Sequence, residues 1–157
     1  MFRTLAYVMR RVAPMCLLAL LIVGQAIAGE TGPINAGPDK VAIKGYDTVA
    51  YFTQRQPTMG REEFSHDWQG ATWRFASAEH RDLFAADPEK YAPHFGGFCA
   101  MGMSLGVQAK ADPEAWVIVD DKLYLTYSPS ALVKFKVDTP DHLAKAETVW
   151  EGIVQGN

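Results

Sequence analysis

Cysteine is scarce in this chain, which has only Cys16 and Cys99 among its 157 residues. Cys16 lies within an apolar N-terminal run, so a chain that loses this segment keeps a single thiol. A fold held together by disulfides within the chain is therefore excluded for the remainder. An unpaired thiol in an oxidising compartment has three explanations, which are burial, binding to a metal, and a disulfide to a partner protein.

Long hydrophobic runs and an excess of basic charge are also missing. The longest apolar run covers residues 15–23, which is shorter than the roughly 20 residues that a membrane-spanning helix needs. The formal net charge is −3, and loss of the N-terminal segment would remove Arg3, Arg10 and Arg11 but no acidic residue. This charge balance argues against nucleic acid as a partner.

The first 28 residues have the pattern of a cleaved secretory signal. A basic start is followed by the apolar run and by a small-residue end at Ala26-Ile27-Ala28, as in signal peptides. We therefore expect an exported, periplasmic protein with no stable membrane insertion after cleavage. Residues 29–40, rich in glycine and proline, are predicted to be a flexible lead, and residues 41–155 a single domain.

Alternation of apolar and polar residues predicts two β-hairpins. The first uses residues 63–68 and 71–75 and turns at Gln69-Gly70, and the second uses residues 116–119 and 123–127 and turns at Asp120-Asp121. Residues 41–43 are predicted to form a further strand ahead of a turn at residues 45–47. No internal repeat is visible between residues 41 and 155.

Capping residues predict short helices between and after the hairpins. Ser77 is placed to cap one helix, Asp87-Pro88 to start another, and Thr139 to cap the last. A short helix is also expected over residues 130–137. The last helix carries an apolar stripe of Leu143, Ala146, Trp150 and Ile153. The predicted fold class is α+β, with a small antiparallel sheet of hairpins, short helices and a C-terminal helix.

The segment from residue 94 to residue 103 concentrates the soft metal ligands. Thiolate, thioether and imidazole suit monovalent copper, whereas calcium and magnesium prefer oxygen ligands. The sequence predicts a metal site formed by Cys99, Met101 and Met103 with either His94 or His66. The competing interpretation is that both methionines fill the core and that His66 is a surface or hydrogen-bonded histidine.

Motifs for catalysis are lacking. The sequence has no spaced pair of carboxylates, no nucleophile elbow, no phosphate-binding loop and no histidine pair with zinc-protease spacing. Cys99 with His94 could form a nucleophile and its base, but no third residue is evident to orient them. The sequence leaves enzymatic activity open and favours a binding protein.

Several motifs together resemble the YHS domain family. FSHDWQGATWRFAS at residues 64–77 and FAADPEKY at residues 84–91 carry the resemblance. GYDTVAYF at 45–52, GGFCA at 96–100 and LYL at 123–125 narrow it to the exported, stand-alone YHS-like proteins of Gram-negative bacteria. The resemblance covers about residues 43–152. It implies a small module associated with metals, most often copper, and does not imply an enzyme.

In the metal-handling members of this family, cysteines follow the second strand and lie one turn into the next helix. The matching positions here hold Ala76 and His80. Two functions therefore stay open. One is an exported module that binds copper(I), and the other is a structural module that binds a periplasmic protein or a small ligand and has a degenerate metal site.

Overall fold

The computed structural model describes residues 33–156, and the predicted signal segment lies outside them. The fold is α+β, as predicted, with two two-stranded antiparallel sheets. The strands are β1 (Arg61–Trp68), β2 (Ala71–Phe75), β3 (Asp112–Val119) and β4 (Lys122–Thr126). The helices are α1 (Ala50–Thr53), α2 (Ala78–Ala86), α3 (Pro88–Tyr91), α4 (Ala100–Ser104), α5 (Pro129–Val137) and α6 (Thr139–Val154), and two 3₁₀ turns lie at Ile43–Gly45 and His94–Gly97.

Both predicted hairpins are confirmed. β1 pairs with β2, and β3 pairs with β4. Each connecting turn has two residues with positive φ, which are Gln69 and Gly70 in the first and Asp120 and Asp121 in the second. Turns of this kind match the right-handed twist of the flanking strands.

The strand predicted at residues 41–43 is wrong. Val41 and Ala42 make only isolated bridges, and Ile43, Lys44 and Gly45 all have positive φ. A left-handed turn cannot continue a β ladder, and for a β-branched residue such as Ile43 it is a strained conformation. The buried environment of Ile43, which is 1% exposed, holds the turn in place.

The order of elements occurs twice along the chain, although no repeat is visible in the sequence. β1 begins at Arg61 and β3 at Asp112, 51 residues later, and both strands have eight residues. The same offset relates α2, which begins at Ala78, to α5, which begins at Pro129, and both helices have nine residues. We call residues 43–91 the first repeat and residues 94–154 the second repeat.

Irregular features recur as well. In both hairpins the pairing shifts at the same place, between Arg61 and Ser65 in β1 and between Asp112 and Trp116 in β3. A triplet of residues with positive φ precedes each short helix, at residues 43–45 and 95–97. Pairing shifts and left-handed turns are specific departures from ideal geometry. Because they recur at matching places, the two halves share one structural unit.

The helix caps repeat too. Ser77 caps α2 and Ser128 caps α5, and in each case the hydroxyl accepts the N–H of the residue three positions later. Asp87 caps α3 with φ −150° and ψ 74°, and Asp138 caps α6 with φ −146° and ψ 70°. The cap of the last helix is therefore Asp138, not Thr139 as predicted.

The core consists of two hydrophobic clusters. One includes Trp73 and Phe84, and the other includes Tyr124 and Phe135. Phe84 and Phe135 are equivalent positions, and both are fully buried. Leu123 and Leu125 of the second hairpin belong to the first cluster, so the second repeat completes the core of the first.

Asn35 ties the two left-handed turns together. Its backbone N–H donates to Gly96 O at 2.8 Å, its side-chain amide donates to Gly97 O at 2.9 Å, and its carbonyl accepts the Ile43 N–H at 3.0 Å. The preceding Ile34 is 8% exposed. These two residues, which the sequence places in a flexible lead, lie against the folded unit. Within residues 33–156, no helix is both long and apolar enough to cross a membrane.

Candidate functional site

Asp47 is the polar centre of the first repeat. Its carboxylate is fully buried. Oδ1 accepts the N–H groups of Val49 at 2.9 Å and Ala50 at 3.2 Å, and Oδ2 accepts the N–H of Ala76 at 2.8 Å. Oδ2 also lies 2.6 Å from Nδ1 of His80. One carboxylate therefore joins the start of α1, the residue after β2, and α2.

A hydroxyl extends this network to the surface. Nε2 of His80 lies 3.2 Å from Oγ1 of Thr53, which donates to the carbonyl of Val49 at 3.1 Å. The imidazole therefore bridges the Asp47 carboxylate, through Nδ1, and the Thr53 hydroxyl, through Nε2.

The order carboxylate, imidazole, hydroxyl is also the order of a catalytic triad. Thr53, however, is exposed at the end of α1. Its hydroxyl donates to the carbonyl of Val49. The Asp47 carboxylate caps α1 and contacts α2.

Cys99 is the corresponding centre of the second repeat. Its sulfur accepts the N–H of Gly102 at 3.2 Å and the N–H of Tyr127 at 3.1 Å. Tyr127 follows β4 as Ala76 follows β2. Cys99 is 2% exposed, so the first of the three explanations for its unpaired thiol, burial, describes its environment.

The other predicted metal ligands have separate surroundings. Met103 is fully buried in the second cluster, and the sulfur of Met101 lies 4.0 Å from the Ser104 hydroxyl. Nε2 of His94 lies 2.7 Å from Oε1 of Glu147. His66 lies in β1, with its ring 6.0 Å from that of Phe84. In the described part of the chain, no group of three or more His, Cys, Asp or Glu side chains could hold a metal ion.

A groove of about 640 Å³ lies where the turns of the two hairpins approach each other. Gln69 of the first turn and Asp120 and Asp121 of the second turn lie in its wall. The lining residues are Pro33, Ile34, Trp68, Gln69, Glu89, Lys90, Ala92, Pro93, His94, Phe95, Gly96, Asp120, Asp121, Lys122 and Trp150. Sequence reasoning missed this groove, because it forms only when the repeats pack together.

The groove combines aromatic walls with charged edges. Trp68 and Trp150 are both half-buried, and each packs against the core, Trp68 against Phe84 and Trp150 against Phe95. His94 is the one imidazole in the lining, and Glu147 of α6 fixes its ring. The charged residues of the edges are Glu89, Lys90, Asp120, Asp121 and Lys122.

Tyrosine hydroxyls link the repeats and respond to their surroundings. Tyr46 donates to Glu114 at 3.0 Å, and Tyr51 donates to the carbonyl of Pro113 at 2.8 Å. The hydrogen bond to Glu114 raises the pKa of Tyr46, and burial raises the pKa of Tyr51. Burial, together with nearby carboxylates, raises the pKa of Tyr124 to about 12. All three phenols are therefore held in the neutral form.

Comparison with protein-family models, with curated proteins and with solved structures found no match to this chain. The likeness to the YHS domain family accordingly stays a resemblance carried by the motifs.

Proposed function

We propose that this protein is a binding module that holds a small organic molecule, partly aromatic and partly polar, in the groove between its two repeats. The single observation that carries this proposal is the groove of about 640 Å³. Small-molecule sites are typically clefts of about 300–1,000 Å³ that combine apolar walls with a few placed polar groups. Such sites also occur preferentially where structural units meet.

His94 is the polar group that would orient the ligand. Because Nε2 is held by Glu147 at 2.7 Å, the ring orientation is fixed before any ligand arrives. The other ring nitrogen, Nδ1, can accept a hydrogen bond in the neutral ring and donate one in the cationic ring. A ligand with a polar hydrogen-bonding group beside an aromatic ring fits this nitrogen and the tryptophan walls.

The positions that match the family's cysteines support a module without the usual metal site. The backbone N–H of Ala76 and the ring of His80 both contact the carboxylate of Asp47. A buried carboxylate paired with an imidazole serves the structure in this place. This supports the second of the two functions that the sequence left open, the ligand-binding module with a degenerate metal site.

Ligand-detected NMR with a library of aromatic amines, carboxylates and neutral heterocycles tests the proposal. We expect hits that are lost in His94→Ala and in Trp150→Ala. They should be kept in Met59→Ala, because Met59 is 57% exposed and lies outside the groove. Hits that survive in both groove variants, or no hits with folded protein, would contradict a ligand site in the groove.

Copper binding at Cys99 is a second proposal, and one observation favours it. Two backbone N–H groups point at the Cys99 sulfur, and hydrogen bonds of this kind orient and tune sulfur ligands of metals. Titration of the protein with copper(I) in a competing chelator tests it. Stoichiometric uptake that is lost in Cys99→Ala is expected, and uptake equal in both proteins would end this proposal.

A further inference from the structure

The second repeat exposes apolar side chains where the first repeat is polar or small. Five residues of the second repeat are large, apolar and 55% to 81% exposed. We call them the apolar patch, and they are Leu105, Val107, Tyr127, Val133 and Val137. The positions 51 residues before Tyr127, Val133 and Val137 hold Ala76, Asp82 and Ala86. The first repeat forms the same order of elements without large apolar residues at these positions.

Hydrogen bonds draw part of the apolar patch together. The N–H groups of Tyr127 and Gly102 both donate to the sulfur of Cys99, and the N–H of Val107 donates to the carbonyl of Gly102 at 2.9 Å. Val133 and Val137 follow on α5, one helical turn apart, and α5 begins two residues after Tyr127. Exposed apolar surface of this kind marks an interaction site.

Lysines flank the two valines of α5, because residues 133, 134, 136 and 137 all lie on the exposed side of that helix. Lys110, Lys134 and Lys136 are exposed, and none of them forms an ion pair with another described residue. Their counterparts in the first repeat, Met59, Leu83 and Ala85, are uncharged. The position that the acidic Asp82 holds in the first repeat is held by Val133 in the second. At these positions the second repeat carries apolar side chains and lysines where the first repeat does not.

We infer that the apolar patch docks this protein on the surface of an anionic lipid bilayer. Apolar side chains flanked by lysines enter the boundary between headgroups and acyl chains, while the lysines lie near lipid phosphates. A second copy of the chain fits less well, because a two-fold dimer would place the same patch on both sides and bring like charges together. This inference is independent of the groove.

Co-sedimentation with vesicles of phosphatidylglycerol and of phosphatidylcholine tests it. The wild type should bind the anionic vesicles, and binding should weaken as salt is added. Val133→Asp with Val137→Asp should reduce partitioning by about tenfold or more, and Lys134→Gln with Lys136→Gln by a similar factor, given the typical contribution of each lysine near an anionic surface.

The first repeat supplies the matched control. Ala86→Asp places a charge at the exposed counterpart of Val137 and should leave partitioning unchanged. All variants carry the same residues 1–32, so differences between them report the apolar patch alone. Equal partitioning of wild type and patch variants would overturn the inference. So would a patch that mediates only self-association, seen by light scattering, or that binds only an acidic protein and no vesicle.

Discussion

Asp47 and Cys99 occupy equivalent positions in the two repeats. Each follows a left-handed turn and accepts N–H groups from the start of a short helix and from the first residue after the next hairpin. A carboxylate performs this role in one repeat and a sulfur in the other. The lone cysteine of the folded unit therefore has a structural task that explains its retention without a second thiol.

Replacing Cys99 should cost stability through its two N–H donors. In Cys99→Ala the partly buried N–H groups of Gly102 and Tyr127 lose their acceptor, and a typical intramolecular hydrogen bond contributes about 0.5–1.5 kcal/mol. Cys99→Ser keeps an acceptor atom and should lose less. Urea unfolding of the three proteins measures the difference. Equal stabilities of wild type and Cys99→Ala would show that the sulfur contacts contribute nothing.

Breaking the Asp47 network should be more damaging. Asp47→Ala leaves three backbone N–H groups and the His80 ring without their partner, and removal of one member of a buried pair costs about 3–5 kcal/mol. His80→Ala should cost less, because the carboxylate keeps its backbone donors. A double-mutant cycle in thermal or urea unfolding should give a coupling energy above about 1 kcal/mol between the two side chains.

Asp67 offers a control for this cycle. It is exposed, and its carboxylate accepts one hydrogen bond, from Thr72 at 2.7 Å. Asp67→Ala should change the unfolding free energy by less than about 1 kcal/mol, as exposed contacts do. A loss as large as that of Asp47→Ala would mean that burial of the carboxylate is not the cause.

Two glycines with the same backbone conformation separate strain from packing. Gly97 and Gly106 have φ of 79° and 78°, so alanine is strained by a similar amount at both. A Cβ at Gly97 would overlap Cδ1 of Ile43, whereas a Cβ at Gly106 meets nothing within 4 Å.

Gly106→Ala should therefore cost about 1–2 kcal/mol, from the left-handed conformation alone. Gly97→Ala should cost more than about 3 kcal/mol, because the buried side chain of Ile43 must also shift out of a packed core. Urea unfolding of both variants gives the comparison. Similar losses for the two would indicate that the side chain of Ile43 shifts without resistance.

Local signals in the sequence predicted the local structure. The alternation of apolar and polar residues and the turn pairs Gln69-Gly70 and Asp120-Asp121 are short-range features of the sequence. Both hairpins form at the positions that these features predict. The capping serine at residue 77 was likewise read from its neighbours. These features depend on interactions over a few residues, which a sequence records directly.

Features that depend on distant contacts were not predictable in this way. The two repeats agree in the spacing of their elements, in the shifts of strand pairing and in their helix caps. Asp47 and Cys99, which occupy equivalent positions, differ in chemistry. His80 stands among the charged residues Glu79, Arg81 and Asp82 in the sequence, yet it is only 8% exposed, and Asp47, 33 positions earlier, holds its ring. Similarly, Ile43 reads as a strand residue until the packing against Gly97 forces a left-handed turn.

Alkaline pH should weaken the fold through Tyr124. Its pKa is raised from 10.0 to about 12 in the folded protein, so the unfolded chain loses the phenolic proton first as pH rises. The contribution of the neutral phenol is complete below pH 10 and is lost between pH 10 and about pH 12. For a shift of this size the loss is on the order of 2–3 kcal/mol.

Tyr124→Phe removes the titrating group and keeps the ring that packs against Phe95 and Phe135. The unfolding free energy of the variant should therefore fall less steeply as pH rises across this window. Urea unfolding at a series of alkaline pH values measures it. The dependence should not vanish, because Tyr46 and Tyr51 also have raised pKa values. If the unfolding free energies of the wild type and of Tyr124→Phe fall equally with pH, the phenol of Tyr124 ionises as readily in the folded protein as in the unfolded chain.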